Sequence, residues 1–307
     1  MVVKESISRD LLRLFVWYPV RWLILILPAP AGIAILRAMG DIHSALSKGK
    51  KEVLGANLKR IDPAVTPEKT RYVIKEYFRN HYIDRLLIFI CPGFQKGEVK
   101  SLLSIKGIER LDSAIKKGKG VILVHGHFGP VHIPLVALSR LGYRMKQIGL
   151  PSDEGLSWIG RNVAFRLRLK YESMMPAEII KADGFLRGAF RWLGENGVIM
   201  ITGDGSGTEK KVGKHQTFQY CGNSVDFPVG PALLAAKTGA EILPMFITPG
   251  EGSFLYNIII EEAITNAGEP LDITGKFVGR LESYVRKYPW YMHFLDKFTP
   301  GLIINRQ

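Results

Sequence analysis

The sequence has few cysteines and no long apolar run. Its two cysteines, Cys91 and Cys221, lie far apart and form no metal-binding or redox motif. We therefore expect two buried free thiols in a reducing compartment. The longest uncharged run, residues 22–36, has fifteen residues and contains two prolines, whereas a membrane-spanning helix needs about 20 residues. No small-residue cleavage site follows a single apolar core, so a signal peptide is not predicted.

Acidic residues are the minority among the charged ones. The chain has 28 Asp and Glu against 42 Lys and Arg, with a formal net charge of +14. This balance favours an anionic partner, which could be nucleic acid, an anionic lipid surface or an acidic carrier protein. Regular basic-aromatic nucleic-acid motifs are absent. Because the N-terminal segment is also apolar, we predict binding to an anionic membrane and not to nucleic acid.

The N-terminal segment carries aromatic residues beside arginines. Trp17, Tyr18 and Trp22 lie close in sequence to Arg13 and Arg21. Rings at headgroup depth with cations on phosphate are typical of an interfacial anchor. We therefore expect residues 1–45 to form membrane-anchoring helices with monotopic attachment, and residues 46–307 to form one α/β domain. A helical hairpin packed on the domain, or a short tilted span, are the alternatives.

The most informative stretch runs from residue 118 to residue 141. Residues 121–124 are a short apolar run typical of a buried strand, and a Gly- and Pro-containing turn follows at residues 125–130. Apolar residues then recur at helical spacing. Three histidines, His125, His127 and His132, fall at this strand-turn-helix unit. Ligands bind at the carboxyl ends of strands in α/β sheets, so we predict the functional site here.

The remaining pattern alternates helices with short apolar strands. Helices are predicted at residues 67–90, 157–170, 183–195, 230–238 and 272–287, and strands at 143–148, 198–202, 242–247 and 254–261. This order predicts an α/β fold, with a mixed, largely parallel central sheet flanked by helices. The strand at residues 198–202 ends in Gly203-Asp204-Gly205. If the strands are parallel, Asp204 lies at the same edge of the sheet as the three histidines. A plain Asp-Gly turn is the alternative.

Several segments in order, from about Leu36 to Phe298, resemble one enzyme family. They comprise residues 50–58, 107–111, 118–123, 201–204, 225–240, 242–246 and 288–293. Together they resemble the bacterial lysophospholipid acyltransferase superfamily, in its branch of lipid A lauroyl/myristoyl and phosphatidylinositol mannoside acyltransferases. The catalytic motif of that family is His-x4-(Asp/Glu), and its histidine aligns with His127. The acidic position holds His132 instead.

The resemblance implies transfer of a fatty acyl group from a thioester to a hydroxyl of a membrane lipid, as in lipid A biosynthesis. The donor would be an acyl carrier protein or coenzyme A, and no metal or bound cofactor is needed. The location implied is the cytoplasmic face of the bacterial inner membrane. His127 would act as general base. His132 could accept its ring N–H, and Asp204 or another carboxylate could supply the charge that His132 lacks.

Further residues are assigned to substrate binding. Backbone N–H groups from Phe128 to Val131 are candidate oxyanion donors, although Pro130 has none. The candidate substrate-binding residues are His125, Phe128, Gly129, Arg166, Arg168 and Gly205. Arg166 or Arg168 could bind an acidic donor or a headgroup phosphate.

Two other functions remain open at this point. His125, His127 and His132 could hold zinc in a metal-dependent hydrolase. Alternatively, the protein could be a catalytically degenerate relative that only binds lipid, because its motif lacks the carboxylate.

Overall fold

The structure is a computed structural model that describes residues 7–149, 153, 155–182, 186–205, 213–264 and 269–298. Its centre is a seven-stranded sheet. In chain order the strands are β1 (Leu103–Lys106), β2 (Val121–His125), β3 (Met145–Gly149), β4 (Glu178–Lys181), β5 (Val198–Thr202), β8 (Glu241–Pro249) and β9 (Tyr256–Ile260). Between β5 and β8 lies a separate antiparallel hairpin of β6 (His215–Tyr220) and β7 (Asn223–Pro228).

The spatial order of the sheet is β1-β9-β8-β2-β5-β3-β4. All neighbouring pairs are parallel except β8 and β9. The prediction of a mixed, largely parallel sheet is therefore confirmed. Strand β2 lies at the middle, and all five of its residues are buried. A strand covered by helices on both faces can be apolar throughout, which explains the continuous Val-Ile-Leu-Val run.

Helices cover both faces of this sheet. They are α1 (Ile7–Phe15), α2 (Arg21–Ile26), α3 (Ala29–Leu46), α4 (Lys48–Ile61), α5 (Pro67–Leu86), α6 (Lys96–Leu102), α7 (Ile108–Lys116), α8 (His132–Leu141), α9 (Arg166–Ser173), α10 (Arg187–Gly194), α11 (Gly230–Thr238) and α12 (Pro270–Lys287). π-helical turns, Val16–Val20 and Gly160–Phe165, lead into α2 and α9. Thr66 caps the N-terminus of α5, because its side chain accepts a hydrogen bond from the Lys69 N–H at 3.2 Å.

Helix α3 of the N-terminal segment is joined to helix α5 by ion pairs. Arg79 of α5 binds Asp41 of α3 through two hydrogen bonds of 2.7 Å. Arg37 of α3 reaches Glu76 of α5 at 3.0 Å. In the part of the chain that the structure describes, no helix is both long and apolar enough to cross a bilayer.

Most predicted elements are present, with shifted ends. Strand β5 and helix α11 have the predicted bounds, whereas β3 begins two residues later than predicted. The helix predicted at residues 183–195 runs from Arg187 to Gly194, and residues 183–185 lie outside the described part, as do residues 206 and 207 of the glycine-rich turn. The short strands β1 and β4 and the β6–β7 hairpin were not predicted. Their four to six residues give too little periodicity to separate a strand from a loop.

Candidate active site

The parallel pairing of β2 and β5 brings His127 beside Asp204. Both residues lie two positions beyond their strands, at the carboxyl edge of the sheet. The backbone N–H of His127 donates to Asp204 Oδ2 at 2.6 Å, and its ring Nδ1 lies 2.8 Å from Asp204 Oδ1. Both carboxylate oxygens are therefore used by one histidine. With Nδ1 protonated and bonded to Asp204, Nε2 remains to accept a proton.

Glycines at both strand ends make this close approach possible. A Cβ at Gly126 would lie 2.8 Å from a Leu281 methyl group and 3.2 Å from Asp204 Oδ2. A Cβ at Gly203 would lie 2.7 Å from Val124 Cγ2 and 2.5 Å from the Phe277 ring. A side chain at either position would collide with α12, which carries Leu281 and Phe277, so the glycines are needed for packing at the site.

The pair is electrostatically coupled. Burial opposes a charge on the imidazole, but the Asp204 carboxylate outweighs that effect and raises the pKa of His127. Burial likewise acts to raise the pKa of Asp204, and the contact with His127 lowers it below its ordinary value. The arrangement therefore favours an ionised Asp204 that stabilises a positive charge on His127, as an acid–base catalyst requires.

The segment after α12, residues 288–298, is called the C-terminal segment below. It holds the histidine turn, residues 125–130, in place. The Gly129 N–H donates to Tyr291 O at 2.8 Å, and the His293 N–H donates to His127 O at 3.0 Å. The His293 ring Nε2 also lies 2.8 Å from Gly129 O. These bonds pair the turn with the segment after α12 like two neighbouring strands, although the two segments are more than 150 residues apart in sequence.

This pairing corrects the expectation for the oxyanion donors. The Gly129 N–H is already bonded to Tyr291 O, and the His127 N–H is bonded to Asp204. Of the predicted oxyanion donors, the N–H groups of Phe128 and Val131 remain. The reason is the docking of the C-terminal segment, which is a tertiary contact that local sequence does not show.

His125 lies beneath the site. Its Nδ1 is 2.9 Å from Gly126 O, and its buried Nε2 has no hydrogen-bond partner in the described part of the chain. Burial lowers the pKa of His125 to about 4, so the ring is neutral. It does not line the cavity described below, which gives it a supporting position and no direct path to substrate.

His132 is the first residue of α8 and does not contact the Nδ1 of His127. Its Nε2 lies 3.9 Å from Glu172 Oε1, and Glu172 accepts a 2.6 Å hydrogen bond from Arg168 Nε. Burial and the nearby Arg168 cation lower the pKa of His132. The expectation that His132 could orient His127 is wrong, because Asp204 already occupies that nitrogen.

The three histidines do not form a metal site. His125, His127 and His132 each face a different partner: a carbonyl, Asp204 and Glu172. Across the described ranges, no group of three or more His, Cys, Asp or Glu side chains is placed so that it could hold a metal ion. The geometry therefore gives no support to the zinc hydrolase alternative.

A cavity of about 1100 Å³ opens in front of His127. Gly129, His132, Arg168 and Gly205 also line it, whereas Arg166 lies on the exposed side of α9. Phe128 is buried, and its ring packs against Tyr284 and Tyr291. The structure thus brings five of the nine candidate residues to the wall of one cavity. Asp204 lies behind His127, and His125, Phe128 and Arg166 do not line the wall.

The wall of the cavity has an apolar and a polar group of residues. The apolar group comes from the N-terminal helices and the β3–α10 side, and includes Leu12, Val16, Trp17, Ile148, Ala164, Phe165, Ile179 and Leu186. The polar group comes from α3, α5 and the C-terminal segment, and includes His43, Asn80, His81, Asp84, Arg85, His293, Asp296 and Lys297.

The sequence analysis missed the residues of α5 in this polar group. The available signal was the mixture of polar and aromatic residues on one broad helical face. A core-facing helix normally keeps that face apolar, so His81 and Asp84 beside Tyr77 indicate a cavity in place of packed core.

Comparison with known proteins agrees with the motifs. Residues 4–299 match the model of the family described as bacterial lipid A biosynthesis acyltransferase. The chain belongs to this family. It is 25% identical to the phosphatidylinositol mannoside acyltransferase of Mycolicibacterium smegmatis over 286 residues, which cover 87% of this chain and 88% of the relative. It is 24% identical over 268 residues to the protein of the same name from Mycobacterium tuberculosis, with 81% and 77% covered.

The family membership confirms the resemblance drawn from the sequence motifs. The chain is an acyltransferase of the lipid A and phosphatidylinositol mannoside type, and it acts in lipid biosynthesis.

Proposed function

We propose that this acyltransferase moves a fatty acyl chain from an acyl thioester to a hydroxyl of a membrane glycolipid, with His127 as general base. The observation that carries this proposal is the 2.8 Å contact of His127 Nδ1, whose residue lines the cavity, with Asp204 Oδ1 behind it. It fixes the ring tautomer and leaves Nε2 as the proton acceptor.

The reaction follows from this geometry. The acceptor hydroxyl oxygen attacks the thioester carbonyl carbon, and Nε2 of His127 takes the hydroxyl proton. Asp204 stabilises the imidazolium that forms. When the tetrahedral intermediate collapses, the carbon–sulfur bond breaks, and His127 returns the proton to the leaving sulfur. The products are an ester and a free thiol. General base assistance of this kind contributes about 10²–10⁴-fold in rate.

The two groups of wall residues fit two substrates. The apolar group next to α1 suits a fatty acyl chain, whose burial is driven by the hydrophobic effect. The polar group offers hydrogen bonds and positive charge for a headgroup. The named relatives are phosphatidylinositol mannoside acyltransferases, and a sugar-bearing phospholipid of that kind is the acceptor we propose. The net charge of +14 suits an acyl carrier protein or acyl coenzyme A as donor equally.

The N-terminal helices supply the membrane contact in this proposal. Residues 1–45 form the anchoring unit and residues 46–307 the catalytic domain. Apolar side chains remain exposed along α1 and α2, with Ile7 80%, Leu11 62%, Phe15 56%, Trp22 59% and Ile26 78% exposed. Within each helix they recur every four residues, so they form an apolar stripe on one face of α1 and another on one face of α2. An exposed apolar stripe of this kind fits the acyl boundary of a bilayer, here the cytoplasmic face of the inner membrane, with peripheral attachment.

Thiol release tests the catalytic proposal. Purified protein is supplied with phosphatidylinositol mannoside in mixed micelles, and with palmitoyl-coenzyme A or an acyl carrier protein donor. We expect thiol release that depends on lipid, persists with a chelator and is lost in His127→Ala at unchanged thermal stability. Chelator-sensitive release would point to metal chemistry instead.

The second candidate function is lipid binding without catalysis. The missing carboxylate at position 132 is the observation in its favour. The His127–Asp204 pair argues against it, because a carboxylate is present where the imidazole needs one. Lipid binding with no thioester turnover from any donor would favour this alternative.

Vesicle sedimentation tests the membrane contact separately. Ile26→Ser removes a side chain of the exposed stripe, while Leu271→Ser removes a 44% exposed leucine on α12 as a matched control. Burying one such side chain in lipid contributes about 1.5–3 kcal/mol, so Ile26→Ser should weaken binding to anionic vesicles by about 10–100-fold. Equal binding by both variants would count against the stripe as the contact.

A further inference from the structure

A second carboxylate, Asp84, lies in the cavity near the end of α5. Its Oδ1 is 3.3 Å from His293 Nε2, and the same nitrogen is 2.8 Å from Gly129 O in the histidine turn. Asp84 therefore sits next to the segment that carries His127, although 43 residues separate the two in sequence. Its placement depends on the docking of the C-terminal segment between α5 and the turn.

The Oδ1 atom of Asp84 is buried and has no hydrogen-bond partner among the described residues. The contact with His293 brings the two groups close, but the ring N–H is directed at Gly129 O and does not satisfy the carboxylate. A buried carboxylate oxygen without a donor is unfavourable in the free protein. Oδ1 itself has no exposed surface, but the Asp84 side chain is 22% exposed and lines the cavity, so a ligand would reach the carboxylate through this exposed part.

Asp84 also acts electrostatically on the catalytic ring. For His127, burial and then Asp204 have the larger effects on the pKa, and Asp84 adds to Asp204 in raising it. For His132, burial and Arg168 lower the pKa, and Asp84 opposes them. A ligand group that binds Asp84 would therefore be within reach of the residues that surround the reacting hydroxyl.

We propose that Asp84 binds the acceptor, by taking a hydrogen bond from a hydroxyl that neighbours the one to be acylated. This inference rests on the proposed acyl transfer and names a feature of its acceptor, which is a ring with at least two hydroxyls, as in a sugar or a cyclitol. Asp204 orients the base and Asp84 orients the acceptor. The motif thus carries His132 and no carboxylate, but helix α5 supplies a carboxylate to the cavity.

The experiment separates acceptor binding from chemistry. Asp84→Ala and Asp84→Asn are compared with Asp112→Asn, which removes a carboxylate on exposed α7 that accepts a 2.7 Å hydrogen bond from Tyr143. Palmitoyl-coenzyme A is the donor, and phosphatidylinositol mannoside or water is the acceptor. The Michaelis constants of donor and acceptor and the rate of hydrolysis without lipid are measured.

We expect both Asp84 variants to raise the acceptor KM by about 10–100-fold, since a hydrogen bond to a charged group is lost. The donor KM should stay within about twofold of wild type. The rate of hydrolysis should change much less than the acceptor KM, because Asp84 raises the pKa of His127 only in addition to Asp204. For Asp112→Asn, all of these values should stay within about twofold of wild type. Thermal stability should stay about equal, because the buried Oδ1 atom has no hydrogen bond to lose among the described residues. A lower thermal stability with an unchanged acceptor KM would overturn the inference and give Asp84 a structural role.

Two further outcomes keep this inference distinct from the proposed function. Equal losses of hydrolysis and transfer at unchanged acceptor KM would show that Asp84 acts on His127 alone, and would overturn it. If the wild-type protein turns over no thioester, the proposed reaction fails, and binding of fluorescent phosphatidylinositol mannoside decides on Asp84. About tenfold weaker binding by Asp84→Ala would support the acceptor contact, and equal binding would overturn it.

Discussion

Replacement of Asp204 by asparagine is the sharpest test of the catalytic pair. Asp204 receives two hydrogen bonds from His127, at 2.6 Å from the backbone and 2.8 Å from the ring. Asparagine has only one oxygen. If that oxygen keeps the bond from the backbone N–H, its NH2 group faces Nδ1 and donates to it. The ring proton then moves to Nε2, which can no longer accept a proton from the hydroxyl.

The expected loss follows from this change of tautomer. General base assistance is worth about 10²–10⁴-fold, so we expect kcat to fall about 10³-fold, which corresponds to about 4 kcal/mol of transition-state stabilisation. Because Asp204 raises the pKa of His127 in the native protein, the residual activity should also change its pH dependence. The rate needs a neutral His127, so the acid limb of the profile should move to lower pH in Asp204→Asn.

The assay is thiol release from palmitoyl-coenzyme A across a pH series, with and without lipid acceptor. Circular dichroism and thermal unfolding show whether the variant is folded, and Asp112→Asn serves as the control for a lost surface carboxylate. A folded Asp204→Asn protein with kcat within about threefold of wild type and an unmoved acid limb would refute the role given to the pair.

Three other substitutions test separate parts of the site. His132→Glu should give no gain in rate, since the new carboxylate would lie near Glu172 and not beside the ring nitrogen that Asp204 holds; a raised kcat in the thiol assay would contradict this. Gly129→Ala should lower the free energy of unfolding by about 2–4 kcal/mol in urea titration, because its φ is +67° and a Cβ would lie 2.5 Å from Ile247 Cγ2. Asn57→Ala should cost about 1–3 kcal/mol in the same titration, because it leaves a buried carbonyl of the C-terminal segment without its 2.8 Å donor; stability within 0.5 kcal/mol of wild type would contradict either estimate.

Local sequence determined the central elements of this fold. The run of residues 121–124 had to form a buried strand, and Gly230-Pro231 through Gly239 had to start and end a helix, because these patterns concern neighbours along the chain. The histidine turn was predictable for the same reason. Asp204 could be placed beside His127 only under the assumption of parallel strands, which the β2–β5 pairing satisfies.

Tertiary structure alone decided which groups surround His127. The bond from the Gly129 N–H to Tyr291 O joins segments 162 residues apart and removes a predicted oxyanion donor. Asp84 reaches the cavity because the end of α5 meets the C-terminal segment, and His132 faces Glu172 of α9 at 3.9 Å. Helical and strand periodicity specify which face of an element is apolar, but not which distant element will cover it. The motif therefore predicts His127 as the base, and only the packing of the chain showed which carboxylates lie near it.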